Sequence, residues 1–253
     1  MSVQVYAMTC GWVTMPMNSL LSGEEGTLLV PVPSYLIDHP KGAVLFDTGL
    51  HLDIFTDKAG YLGKMAKWLD VTFHPGDELS ARLETMDHDA GKIETVIVSH
   101  LHFDHCGGNA QAPNARIIVQ AKEWAAGHEP DFIRTNGYKR EDYDLGHDVL
   151  QIEGEYDVFG DNSVVCIPTY GHTPGHQSLL VRTDAGEVVL AGDACYLRQT
   201  LEKMWLPRQV HDKEAMLASL EILAGLKARG ARIFYGHDPE FWKDVPQAPA
   251  AVA

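Results

Sequence analysis

The chain has 253 residues, 45% hydrophobic and 22% charged, a balance that buries a sizeable core and sets aside a disordered chain. Twenty Lys and Arg against thirty-five Asp and Glu give a net charge of −15, which repels phosphate backbones and anionic lipid and argues against nucleic acid and membranes as partners. Cys10, Cys106, Cys166 and Cys195 form no CxxC pair, and no leader-like or bilayer-length apolar run is present, so the expectation is a reduced, cytoplasmic enzyme without a disulfide framework.

In chain order, alternation over 3–8 predicts a strand, and 28–37 and 43–46 predict two more, joined by a hairpin turn at Lys41-Gly42. Pro31 and Pro33 inside the second argue for an edge position or a bulge. The stretch 12–26, with Met15, Met17, Leu20 and Leu21 and no clear period, reads as a loop that either lines an apolar substrate pocket or folds onto the core. Residues 61–69 space Tyr61, Leu62, Met65, Trp68 and Leu69 as one helical face, for the core first and for a dimer contact or lid second. Another helix is expected over 78–86.

A strand over 95–99 then delivers residues 99–109, Ser-His-Leu-His-Phe-Asp-His-Cys-Gly-Gly-Asn. Residues i and i+2 of an extended chain share a side, so His100 and His102 can converge on one metal ion. Asp104 and His105 need a turn to join them, and Gly107-Gly108 offer a permissive backbone. Four ligand-type side chains so close together suggest two ions; the bland alternative is a His-rich surface turn.

Downstream, strands are expected over 116–120, 163–168, 178–183, 188–191 and 232–235, with helices over 121–128 and 213–229, the latter closed by Gly230. The Pro- and Ala-rich tail 246–253 is expected to fray. Strands followed by helices occur twice, so one domain of two similar halves sharing a core is expected over 1–253. Three later strand ends repeat one arrangement, a small residue followed by a ligand: Gly171-His172, Gly192-Asp193 and Gly236-His237. With the first cluster this makes five histidines and two aspartates, enough for two borderline ions sharing a carboxylate.

The order HxHxDH, His, Asp, His resembles the metallo-β-lactamase superfamily. Within it the sequence is most similar to the N-acyl-homoserine lactonases, on residues 99–105, 171–178 (Gly-His-Thr-Pro-Gly-His-Gln-Ser), 193–196 (Asp-Ala-Cys-Tyr) and 236–238 (Gly-His-Asp). The resemblance implies an α+β fold, a four-layer αββα sandwich, with two divalent metal ions at the sheet edge: zinc first, with iron, cobalt or manganese as alternatives. It implies that His100, His102 and His172 hold one ion, Asp104, His105 and His237 the other, and that Asp193 bridges them. The implied reaction is attack of metal-bound hydroxide on a lactone carbonyl, with Tyr196 donating a hydrogen bond to the substrate and Asp104 passing a proton to the leaving oxygen. Asp47 and His176 are expected to support ligands from behind. Phe103, Met15, Met17 and Leu20, with Trp205 and Leu206, are expected along an apolar channel.

N-acyl-homoserine lactones, in quorum quenching, are the expected substrates. A compact lactone of the 4-pyridoxolactone or γ-butyrolactone type, and a thioester of the glyoxalase II kind, stand as alternatives. The net charge weighs against the thioesterase and against a nuclease, and His102 weighs against a redox branch that carries glutamate there. A homodimer is expected from the 61–69 face and from the resemblance.

Overall fold

Apolar side chains at every second position give a strand two faces with different partners. In the computed structural model, which describes residues 2–253, this pattern builds two mixed sheets. The first comprises β1 (Gln4–Pro16), β2 (Thr27–His39), β3 (Gly42–Phe46), β4 (Asp70–Thr72), β5 (Thr95–Ile97), β6 (Arg116–Gln120) and β7 (Val149–Ile152), in the order β4-β1-β2-β3-β5-β6-β7. The second comprises β8 (Tyr156–Asp157), β9 (Val164–Pro168), β10 (Gln177–Thr183), β11 (Gly186–Leu190) and β12 (Arg232–Phe234), in the order β12-β11-β10-β9-β8.

The helices are α1 (Ile54–Leu62), α2 (Leu79–Glu84), α3 (Phe103–Cys106), α4 (Ala121–Ala126), α5 (Pro130–Asn136), α6 (Arg140–Tyr143), α7 (Arg198–Lys203), α8 (Lys213–Ala228) and α9 (Pro239–Trp242). Ile37, Phe46 and Ile97 of the first sheet meet Val164, Leu179 and Leu190 of the second in a shared interior. The alternate residues Leu36, Leu45 and Val96 turn the other way, onto Leu79 and Leu83 of α2. On the far side Leu180, Val189 and Ile233 pack against Leu220, Leu223 and Leu226 of α8. Helix, sheet, sheet and helix thus form the expected αββα layers.

β3, β5 and β6 run parallel, as do β11 and β12. Their carboxyl ends open at one edge of the sandwich, the usual place for a site in such sheets. β3 leads into Asp47, β5 into residues 100–105, β11 into Asp193 and β12 into His237; β9 adds the loop that holds His172.

Three expectations are corrected, and a fourth, an edge or a bulge at Pro31 and Pro33, is met by the bulge. β1 does not stop at Met8: residues 12–14 pair with β2 on one side and β4 on the other, so the irregular stretch begins only at Met17. β2 is not an edge strand, because it lies between β1 and β3; the prolines are accommodated by a bulge, in which Cys10 and Gly11 stand between the pairs Thr9–Pro33 and Trp12–Pro31. Residues 61–69 are not one helix. α1 ends at Leu62 and a 3-10 turn covers Gly63–Lys67, because the chain must straighten at once into β4; Tyr61, Leu62 and Leu69 are buried, while Trp68 is half exposed.

The tail does not fray. The Val5 amide donates to the Ala253 carbonyl and the Val252 amide to the Val5 carbonyl, each at 2.8 Å, and Val252 is buried. β4 is three residues long and leaves the amino-terminal half of β1 open, and the tail covers that edge. Among the described residues no helix is long and apolar enough to cross a membrane.

Candidate metal centre

The strand-end loops bring all seven predicted ligands together in two groups: His100, His102, His172 and Asp193, and Asp104, His105 and His237. In the first, His100 Nε2, His102 Nδ1 and His172 Nε2 form a triangle with sides of 2.9, 3.1 and 3.1 Å. Ligand nitrogens about 2.0–2.1 Å from a tetrahedral ion lie about 3.3 Å apart, so the triangle has nearly the size one ion requires. Asp193 faces both groups. Its Oδ2 lies 3.3 Å from His172 Nε2, and its Oδ1 lies 3.2 Å from His105 Nε2 and 3.1 Å from His237 Nε2. Asp104 Oδ2 closes the second group, 3.7 Å from His237 Nε2 and 3.9 Å from His105 Nε2.

Three of these atoms, His105 Nε2, His237 Nε2 and Asp193 Oδ1, are buried and lack a hydrogen-bond partner among the described residues. A buried polar atom left unmade costs about 1–3 kcal/mol, which a shared cation removes. Neutral imidazoles with two carboxylates are also the donor set that borderline divalent ions take. The residues fit a pair of such ions.

The nitrogen that each ligand turns inward follows from the hydrogen bond its other nitrogen makes. His105 Nδ1 donates to Asp47 Oδ2 at 2.8 Å, and His237 Nδ1 to the Pro31 carbonyl at 2.8 Å. His102 Nε2 donates to the Asn136 carbonyl at 3.0 Å. Ser99 Oγ donates to Asp47 Oδ2 at 2.7 Å, which leaves it to accept from His100 Nδ1 at 3.0 Å. His172 Nδ1 lies 3.0 Å from Tyr196 Oη and donates to it. Asp47, at φ 59 after β3, also accepts from the Ser99 amide at 2.7 Å. The Asp193 amide donates to His176 Nε2 at 2.9 Å, and burial pushes the His176 pKa down to about 3, so this ring stays a neutral acceptor.

Charge divides the two groups. Burial, then neighbouring imidazoles, holds His100 well below the ordinary histidine value, and burial does the same for His172. Burial also opposes the charge on His105 and His237, but it is outweighed, by Asp193, Asp104 and Asp47 for His105 and by Asp193 and Asp104 for His237, and both pKa values rise. Asp193 would be raised by burial; His105 and His237 instead hold it well below the carboxylate range.

His102, His172 and Asp193 of the first group and Asp104 of the second line the floor of a cleft of about 860 Å³; His100, His105 and His237 lie buried beneath it. Met15, Met65, Trp68, Leu69 and Phe103 make an apolar wall, and Asn18, Asn136, Arg208 and His211 a polar one. Tyr196 lies on the floor, its ring stacked on His237 at 5.8 Å; burial, then Asp193 and Asp104, push its pKa well above 10.0, so the hydroxyl keeps its proton. Met15 and Phe103 line this cleft. Met17 and Leu20 are not on the wall: Leu20 is fully buried under it and Met17 packs beside it, as do Trp205 and Leu206. Their places are taken by Met65 and Trp68, which the helical spacing had assigned to the core. Gly107 and Gly108 have ordinary negative φ; what they supply is space, since a Cβ on Gly108 would sit 2.2 Å from the Thr48 carbonyl oxygen.

Residues 28–237 match the family model of the metallo-beta-lactamase superfamily. The chain is similar to the N-acyl homoserine lactonase AttM of Azorhizobium caulinodans, 30% identical over 98% of this chain and 97% of that one. It is also similar to the N-acyl homoserine lactonase AiiA of Bacillus thuringiensis subsp. kurstaki, 32% identical over 88% of this chain and 87% of that one. Among solved structures it superposes with a TM-score of 0.89 and 30% identity on an N-acyl homoserine lactone hydrolase that has N-hexanoyl-L-homoserine bound at its catalytic metal centre, covering 99% of this chain and 100% of that one. Sandwich, ligand order and likeness along nearly the whole length agree, and the chain belongs to the metallo-β-lactamase superfamily.

Proposed function

We propose that the chain is a dinuclear metal-dependent hydrolase that opens the ester ring of lactones, with N-acyl-homoserine lactones as its substrates. The observation that carries this reading is the Asp193 carboxylate, whose two oxygens face two separate ligand groups on the floor of a half-apolar cleft. The likeness to lactonases over nearly the full chain supports the same substrate class.

On this reading His100, His102 and His172 hold one ion, Asp104, His105 and His237 the other, and Asp193 both; zinc is the ion this donor set favours. When bound, the ions supply Lewis acidity and make water, whose own pKa is about 15.7, acidic enough to act as a nucleophile near neutral pH. His172 Nδ1 donates to Tyr196 Oη, so the tyrosine's own proton is free to meet the carbonyl oxygen as charge develops there. Asp104 turns Oδ2 to the histidines and keeps Oδ1 to take the proton from the attacking oxygen and pass it to the ring oxygen as the C–O bond breaks. Phe103 and the Met65–Trp68 side receive the acyl tail and exclude water from it. The four buried thiols support a reducing, cytoplasmic setting, and the charge of −15 supports a small-molecule partner over nucleic acid. A homodimer rests on the resemblance, since the 61–69 face is taken up by core and cleft.

The test is a pH-stat assay of metal-replete protein on homoserine lactones of graded acyl length, beside γ-butyrolactone, 4-pyridoxolactone and a glutathione thioester. The expected result is a kcat/KM that climbs with chain length, each buried CH₂ adding about 0.8 kcal/mol until the wall is filled. Hydrolysis of the thioester with every lactone untouched overturns the lactonase reading. Activity confined to the compact lactones transfers the substrate to that class.

A further inference from the structure

Glu123, in the first turn of α4, is fully buried. A carboxylate withdrawn from water needs several hydrogen bonds to offset its desolvation, and the four that Glu123 accepts come from a narrow part of the molecule. Oε1 accepts from the Leu101 amide at 2.9 Å and from the Tyr138 hydroxyl. Oε2 accepts from Thr173 Oγ1 at 2.8 Å and from the Gly175 amide at 2.9 Å. Leu101 stands between His100 and His102, and Thr173 directly follows His172. Tyr138 meets the His102 ring edge-on at 5.2 Å and bridges to its backbone.

One carboxylate therefore ties together the two chain segments that supply the three-histidine group, one oxygen to each. Gly175 shows how tightly the second segment is drawn in: a Cβ there would lie 2.2 Å from the Glu123 amide nitrogen, a spacing only glycine permits. The other group is held by different means, Asp47 behind His105 and the Pro31 carbonyl behind His237.

We infer that Glu123 is a positioning residue that sets the spacing of His100 and His102 against His172, and so governs retention of the ion held by these three side chains and not of the ion held by Asp104, His105 and His237. This rests on the reading of both groups as ligands. Glutamine tests it, because an amide offers one acceptor oxygen. Whichever way the amide is turned, its NH₂ faces two donors, and one of the two segments loses its hold.

The experiment counts zinc per chain in full-length Glu123→Gln and measures the affinity of each ion by chelator competition. The singly loaded cobalt form is then compared with those of His102→Ala and His237→Ala. One ion is expected to bind 10- to 100-fold more weakly, the range typical for loss of a group behind a ligand, with the other at wild-type affinity. The remaining cobalt spectrum should match His102→Ala. Two ions at wild-type affinity, equal weakening of both, or a match to His237→Ala overturns the inference. Should Glu123→Gln fail to fold, Thr173→Val keeps the carboxylate and removes one donor. It should weaken the same ion about tenfold, the lower end for one hydrogen bond to a charged group, and unchanged affinity there overturns the inference equally. A wild-type chain that takes up no metal would instead overturn the ligand reading, so the two failures are distinct.

Discussion

The two ligand groups share Asp193, and Asp47 reaches both, His105 directly and His100 through Ser99; the other partners behind them differ. The imidazoles of His100, His102 and His172 lean on neutral oxygens: Ser99 Oγ, the Asn136 carbonyl and Tyr196 Oη. The second group contains a carboxylate of its own, Asp104, and sets another, Asp47, against His105. The titration directions follow, with His100 and His172 pushed down by burial and His105 and His237 raised by carboxylates in spite of it. The first group is thus organised by geometry and the second by charge. The two buried carboxylates behind them differ likewise: Glu123 touches the loops of the first group and none of its ligands, whereas Asp47 bonds His105 of the second directly and reaches His100 of the first only through Ser99.

The strongest way to break the contrast is to remove what the groups share. Asp193→Ala should release both ions and lower kcat/KM roughly a thousandfold or more, since each ion contributes several kcal/mol to the transition state; elemental analysis showing two ions per chain would mean that the groups are independent. A smaller and selective effect is expected at Asp47. Asparagine keeps one acceptor for Ser99 or His105 but removes the charge, so the ion at Asp104, His105 and His237 should weaken about 10- to 100-fold, and the other, which Asp47 reaches only through Ser99, by less. Chelator competition on Asp47→Asn reads this directly. Paired with Glu123→Gln it places the larger loss on the opposite ion, and equal losses in both variants would dissolve the distinction.

The ligands were legible because each leaves a mark in the sequence: His100 and His102 at the i, i+2 spacing of an extended chain, and His172, Asp193 and His237 each after a small residue at a strand end. Asp47 was legible as a polar residue at a strand end, and His176 from its place in the segment of His172 once the ligand set was complete. What braces them was less visible. The Asn136 and Pro31 carbonyls have no side-chain signature, and Glu123 reads as an ordinary residue of a short helix until the fold lays two loops on it. α5 did carry a signal, Glu129 capping the Phe132 amide with Pro130 in the first turn. The cleft wall was misjudged because it depends on which side of an aperiodic segment faces the metals. Leu20 turns under the wall and Trp68 onto it, a choice made by the 3-10 turn before β4.

The smallest expected effect concerns Tyr196, which touches the first group and, on the proposed function, meets the reacting carbonyl. His172 directs Nε2 at the other two ligand nitrogens, so Nδ1 carries the proton and Tyr196 Oη must accept it. The tyrosine's own hydrogen is then left for the substrate, and its high pKa keeps that hydrogen in place through the working pH range. Tyr196→Phe removes the donor without removing a ligand nitrogen, and the ring still fills the space over His237. Loss of a lone oxyanion donor costs about 10²- to 10³-fold, but here a metal ion shares that task, so kcat should fall only about ten- to thirtyfold, with two ions still bound. A drop in metal content alongside kcat would make Tyr196 a support for His172, bracing the geometric group as Glu123 does. An unchanged kcat with a raised KM would make it a binding contact, and the carbonyl would then be polarised from the metal side alone.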